Sequence, residues 1–113
     1  MALLGRTANG LFWMSRYIER AENMARLVDA GQRLSMTNLS SDEPDEWQSV
    51  LVSAGVEAAY LAKYTEYDTA SIIDFLLRDR DNPSSVRSSI DTARMNGRMV
   101  RTALTRDLWE TIN

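Results

Sequence analysis

Two stretches of this chain, 8–34 and 84–112, repeat apolar residues at three- and four-residue steps, and no segment alternates with period two to supply paired strands. Together these facts restrict the fold to helices packed on helices. In the first stretch Leu11, Met14, Ile18, Ala21, Ala25 and Val28 form the apolar stripe, widened by Tyr17 and Met24, which predicts one long amphipathic helix from about Ala8 to Leu34. Gly10 lies inside it at a cost of ~1 kcal/mol against alanine, and Gly31 reads as a C-cap near its end. In the second stretch Val86, Ile90, Ala93, Gly97, Val100 and Leu104 follow a four-three-four-three-four spacing, that of a bundle seam. Leu108, Trp109 and Ile112 continue the pattern after a bend expected near Thr105.

Between these two segments the polar run 36–46 ends in Pro44, Asp45 and Glu46, which suit the first turn of a helix. A second helix is predicted from there to Lys63, with Trp47, Val50, Leu51, Ala54, Ala58 and Leu61 inward and Tyr60 and Tyr64 on its flank. YTEYD at 64–68 breaks it, and Asp68 or Thr69 caps a short third helix carrying Ile72, Ile73, Leu76 and Leu77, with Phe75 beside them. SIIDFLL by itself suits a strand equally well; the lack of any partner strand decides for helix. Asn82 then reads as a cap and Pro83 as the first residue of the last helix. The expectation is all-α: a bundle of about four to five helices, two of them long, in one domain of 113 residues.

Composition narrows the chemistry. The chain has no cysteine and no histidine, which removes thiol nucleophiles, disulfides, ordinary zinc sites and the commonest general base. A di-metal carboxylate bundle would call for Glu-x-x-His, so no metal and no cofactor are expected. The formal net charge of −3 opposes binding to a phosphate backbone, so nucleic acid is not an expected partner. The opening MALLGRTANGLFWMSR is interrupted by Arg6 and Asn9 and holds no apolar run of about 20 residues, so neither a membrane span nor a leader is expected and the cytoplasm is the expected location.

The charged residues of YIERAENMARLVD, 17–29, pose the functional question. Arg16, Arg20, Asn23 and Leu27 lie well round the helix from its apolar stripe, while Glu22 can meet Arg26 and Arg26 can meet Asp29 along the surface, each pair worth ~0.2–0.5 kcal/mol. Taken alone, this is a solvated face. The last helix, however, carries Arg87, Asp91, Arg94, Arg98 and Arg101 in a similar stripe, and RAENMAR at 20–26 is echoed by ARMNGR at 93–98. Two readings stand side by side. In one, facing Glu and Arg stripes form an interhelical network that fixes register. In the other, Arg20, Arg26, Arg94 and Arg98 converge on an anion through their guanidinium forks. The candidate residues for either are Arg16, Glu19, Arg20, Glu22, Asn23, Arg26, Arg94, Asn96 and Arg98.

FWMSRYIERAENMARLVD, with NPSSVRSSIDTARMNGRMVRTALTRDLWETIN near the end, resembles the beginning of the bacterial alpha-E domain proteins, helical proteins named for an E-R motif. Glu19-Arg20 matches that motif, Glu22-Asn23-x-Ala25-Arg26 matches the family pattern immediately after it, and Asn82-Pro83-x-Ser85, Trp109-Glu110 and Asn113 match the downstream pattern. The chain departs from the pattern at Met95, where the family favours Glu, and at Gly97, where it favours Ala. The resemblance implies the N-terminal part of a longer helical domain, whose apolar faces self-association would otherwise cover, so a homo-oligomer is expected. It further implies a non-catalytic scaffold accompanying ATP-grasp-like peptide or amide ligases and transglutaminase-like peptidases.

Three rival roles are weaker. An enzyme would draw on Glu19 with Glu22, or Glu22 with Asp29, and on Tyr17 as proton donor, but carboxylates on an arginine-rich helix are more often ion-pair partners. Membrane-surface binding through Trp13, Met14 and Tyr17 conflicts with the mixed charge of that helix. The three Trp and six Met also suit a contact groove, although most are expected in the core.

Overall fold

The computed structural model describes residues 2–37 and 45–112, which form five helices and, among the described residues, no strand: α1 (Ala2–Thr37), α2 (Asp45–Ala54), α3 (Glu57–Lys63), α4 (Thr69–Leu77) and α5 (Val86–Ile112). Pro44, expected to open the second helix, and Asn113, part of the family pattern, lie outside the described residues. The all-α expectation holds. Helices α1 and α5 run antiparallel, since Gly10 lies against Val100 and Met14 against Gly97, and they give the molecule its 69 × 27 × 17 Å form. α2, α3 and α4 pack beside the C-terminal half of α1 and the start of α5, where Met24, Val28, Trp47, Val50, Leu51, Val56, Tyr60, Ile72, Phe75 and Leu76 make the core.

The seam of α1 is rotated from the one hydropathy predicts. Thr7, Gly10, Met14, Tyr17, Ala21, Met24, Val28 and Gly31, at alternating three- and four-residue steps, are buried or half-buried; Leu11 and Ile18 are 45% and 43% exposed, and Ala25 is exposed as well. Size explains the rotation. A Cβ on Gly10 would stand 2.5 Å from Val100 Cγ2, and one on Gly31 would stand 2.9 Å from the Trp47 ring, so both glycines let a neighbour approach the α1 backbone. Gly31 is therefore a packing site and not a cap, and α1 continues to Thr37. The same holds along α5, where Ser89, Ala93 and Val100, with Ser85 just before the helix, are buried while Ile90 and Leu104, placed by their hydropathy in the seam, are exposed. α5 passes through Thr105 as unbroken helix, with the Thr105 hydroxyl donating to the Arg101 carbonyl.

The single second helix expected from Pro44 to Lys63 is two helices, divided at Gly55. Gly55 has φ +73°, and the amides of Gly55 and Val56 donate to the carbonyls of Val52 and Leu51 at 3.0 and 3.1 Å, which is a Schellman closure. The break resets the helical phase, so Val56 and Tyr60 turn into the core while Ala58 and Leu61, expected inward, are exposed. Of the two cap candidates, Asp68 is the one that caps α4, its carboxylate accepting from the Ser71 amide at 3.2 Å. Asn82 does not cap α5. Its side chain is buried, donating to the Phe75 carbonyl at 2.9 Å and accepting from the Ser84 amide at 3.1 Å, and Ser85 takes the capping place by accepting from the Ser88 amide.

Candidate functional site

The E-R motif lies where α1 passes the C-terminal end of α2. Trp13, Arg16, Tyr17, Glu19, Arg20, Asn23, Met24 and Leu27 from α1, with Ser53 and Ala54 from α2, line a recess of about 290 Å³. The helical spacing of Arg16, Arg20, Asn23 and Leu27 places them on one flank of α1, and the end of α2 forms the facing wall. Arg20 lies over the Tyr17 ring, 5.4 Å from its centroid, and Tyr17 packs on Trp13 at 6.2 Å, giving an aromatic floor with a guanidinium above it. Arg16 and Glu19 approach to 3.7 Å along the helix, both well exposed, a pairing too loose and solvated to hold either group still.

Of the candidate residues, the structure brings Arg16, Glu19, Arg20 and Asn23 together in this recess. Glu22 and Arg26 stay outside it and pair with each other at 3.9 Å, as Asp29 and Arg33 do at 3.1 Å. Among the described residues the ion pairs of α1 all run along the helix, so its charges are not knitted to those of α5. Arg94 and Arg98 line a different groove, of about 530 Å³, between α1 and α5, where they join Arg101, Met14, Ile18, Ile90, Ala93 and Gly97. Asn96 donates to the Thr92 carbonyl at 2.9 Å and lines a third groove with Arg6, Asn9, Gly10, Val100 and Arg106, a groove that Arg98 also borders. The four arginines expected to converge on an anion are thus not brought together: Arg20 lines the E-R recess, Arg26 lies outside it, and only Arg94 and Arg98 share a groove.

Sequence reasoning missed a polar clamp that joins α3, the α4–α5 loop and α5. Lys63 Nζ donates to Asp79 Oδ2 at 2.8 Å, the Asp81 amide donates to Asp79 Oδ1 at 2.9 Å, and the Ser85 hydroxyl donates to the Asp79 carbonyl at 2.7 Å. The hydrogen bond from Lys63 holds the buried Asp79 carboxyl below the usual carboxylate range, and the same bond raises the Lys63 ammonium. Both carboxylate oxygens are engaged, so the clamp fixes a loop and offers no free base. A second polar anchor is Tyr60, whose hydroxyl donates to the Glu66 carbonyl at 2.6 Å and whose burial raises its pKa. These partners lie sixteen and six positions apart across loops, a separation at which sequence patterning carries no signal. No group of acidic residues that could hold a metal ion occurs among the described residues, and none of their helices is long and apolar enough to cross a membrane.

Residues 3–113 match the profile of a family described as a predicted alpha-helical domain with a conserved ER motif. The chain is similar to an uncharacterized protein of Mycobacterium bovis, 34% identical over 121 residues that cover 92% of this chain and 13% of the relative. Two uncharacterized proteins of Mycobacterium tuberculosis are 34% and 33% identical over the same shares. The chain therefore spans about 13% of the length of these curated relatives. No solved structure matches it.

Proposed function

Because the chain belongs to the Alpha-E family, we propose that it is a non-catalytic helical interaction module that docks a protein partner on the open side of the α1–α5 pair. One observation carries this reading: Ile18 and Ile90 face one groove while remaining exposed, and Leu11 and Leu104, one heptad away from Ile18 and Gly97 respectively, extend the same stripe. Contiguous apolar surface rimmed by polar groups marks a contact site. From the family resemblance we take the partner class to be an ATP-grasp-type peptide or amide ligase or a transglutaminase-like protein, met in the cytoplasm. The two carboxylates do not act as a pair, since Glu19 lines the E-R recess beside Arg16 while Glu22 is paired with Arg26 outside it.

Light scattering on the chain mixed with a purified ATP-grasp-type ligase tests the proposal. A complex is expected that Ile18→Glu abolishes without loss of helical signal. No complex with either a ligase or a transglutaminase-like protein overturns it. Self-association through the same face is the competing occupancy, and the mass of the chain alone measures it directly.

A second reading, binding of a small organic anion or a peptide carboxylate in the E-R recess, is favoured by the Arg20 guanidinium over the Tyr17 ring, with Arg16 also lining the recess. Calorimetric titration with an N-acylated glutamate tests it, and Arg20→Gln should remove the heat if it is correct.

A further inference from the structure

The groove between α1 and α5 has a consistent chemistry along its length. Its floor is Met14, Ile18, Ile90, Ala93 and Gly97, and its α5 rim is Arg94, Arg98 and Arg101. None of these three arginines has an ion-pair partner among the described residues; on α1, Arg6 and Arg20 likewise have none, while Arg16, Arg26 and Arg33 are paired along the helix. Asp91, one turn before Arg94, does not line the groove. Charge is also segregated over the chain as a whole: the two long helices carry every basic residue except Lys63, Arg78 and Arg80, while most of the acids lie between them.

We propose that this groove seats an acidic amphipathic helix of another protein, its apolar stripe on Met14, Ile18 and Ile90 and its carboxylates, spaced four and three residues apart, against Arg94, Arg98 and Arg101. A groove between two antiparallel helices is the natural seat for a third, and helix-in-groove recognition is read through anchors at such spacings. The rim residues fall on a four-three ladder, which a helical partner repeats on its own flank. Covering this groove with a neutral helix would strip water from three guanidiniums without replacing their hydrogen bonds, whereas carboxylates replace them bidentately. A second copy of this chain is disfavoured for the same reason: stacking two α5 helices face to face sets arginine against arginine. The proposal rests on the interaction-module reading and specifies the partner's chemistry.

The test uses three fluorescein-labelled helical peptides of about 18 residues, a length of roughly five turns, with one leucine stripe and flanks of Glu, Gln or Lys. Fluorescence anisotropy against the intact chain is expected to show the Glu peptide binding about tenfold more tightly than the Gln peptide, with the Lys peptide weakest and the difference shrinking as salt rises. Arg94→Gln with Arg98→Gln should remove that tenfold advantage and leave the Gln peptide unchanged. Both residues are exposed, so the variant is expected to fold, as its circular dichroism will show. Equal binding of the Glu and Gln peptides overturns the acidic partner while leaving the interaction module standing. Failure of all three peptides overturns the assignment of a helix to this groove. A dimer of the chain alone that the arginine substitutions weaken also overturns it, by giving the groove to a second copy.

Discussion

Replacing Gly10 by alanine probes the α1–α5 seam at its closest approach. In an exposed helix interior this change gains about 1 kcal/mol, because alanine has the higher helix propensity. Here the new methyl would stand 2.5 Å from Val100 Cγ2, inside van der Waals contact. Valine in a helix is held near one rotamer and cannot swing away, so the helices must separate, an overpacking cost of about 1–3 kcal/mol. The net expectation is a loss of roughly 0–2 kcal/mol where local propensity alone gives a gain. Val100→Ala by itself costs about 1.5 kcal/mol or more, since Val100 is buried. In that background the nearest remaining side-chain atom is the residue-100 Cβ at 3.9 Å, an ordinary contact, and Gly10→Ala recovers its propensity gain. The double-mutant cycle should therefore show about 1–3 kcal/mol of coupling. Urea denaturation followed by helical circular dichroism, with unchanged denaturant slopes, measures all four corners of the cycle. A gain of about 1 kcal/mol from Gly10→Ala in the original background, with no coupling to Val100, refutes the seam.

Two further perturbations test the parts that hold the small helices in place. Gly55→Ala meets no atom within 4 Å yet should destabilise by about 1 kcal/mol, because φ +73° is strained for an L side chain; a neutral or stabilising result in the same urea assay removes the Schellman break. The Lys63–Asp79 pair gives stability a pH signature. Asp79 is held below its ordinary value by Lys63, so its contribution is present above the unfolded carboxylate pKa of about 3.9 and is lost as pH falls through the lower folded value. Lys63 is raised by Asp79, so its contribution is present below the unfolded value of about 10.4 and is lost as pH rises through the higher folded one. The Tm gap between the native chain and Asp79→Asn should therefore be steady from about pH 5 to 9 and close below about pH 4; a gap of unchanged size at about pH 2.5 contradicts the pairing.

The E-R residues were legible as candidates because Arg16, Arg20 and Asn23 repeat at helical spacing and stand apart from the apolar stripe. Their surroundings were not legible. That Tyr17 and Trp13 form the floor and that Ser53 and Ala54 close the far side depends on where α2 ends, and α2 ends where Gly55 takes a positive φ. A glycine inside an otherwise helical pattern reads equally well as a tolerated interruption, because the choice turns on whether Val56 gains a buried place.

What the sequence determined by itself is the class of the molecule: apolar steps of three and four over two long segments leave only helix packing, Asp68 and Thr69 mark the start of α4, and the E-R motif with its downstream pattern places the family. The tertiary structure decided which side of each long helix is seam and which is open. Hydropathy ranks Leu11, Ile18, Ile90 and Leu104 as the natural core residues, yet they lie open while Gly10, Ala21, Ser85, Ser89 and Ala93 are inside or at the closest approach. The reason is geometric. Close backbone approach selects small side chains, so the large ones are displaced to the flank, and that displacement gives the α1–α5 pair its apolar open face.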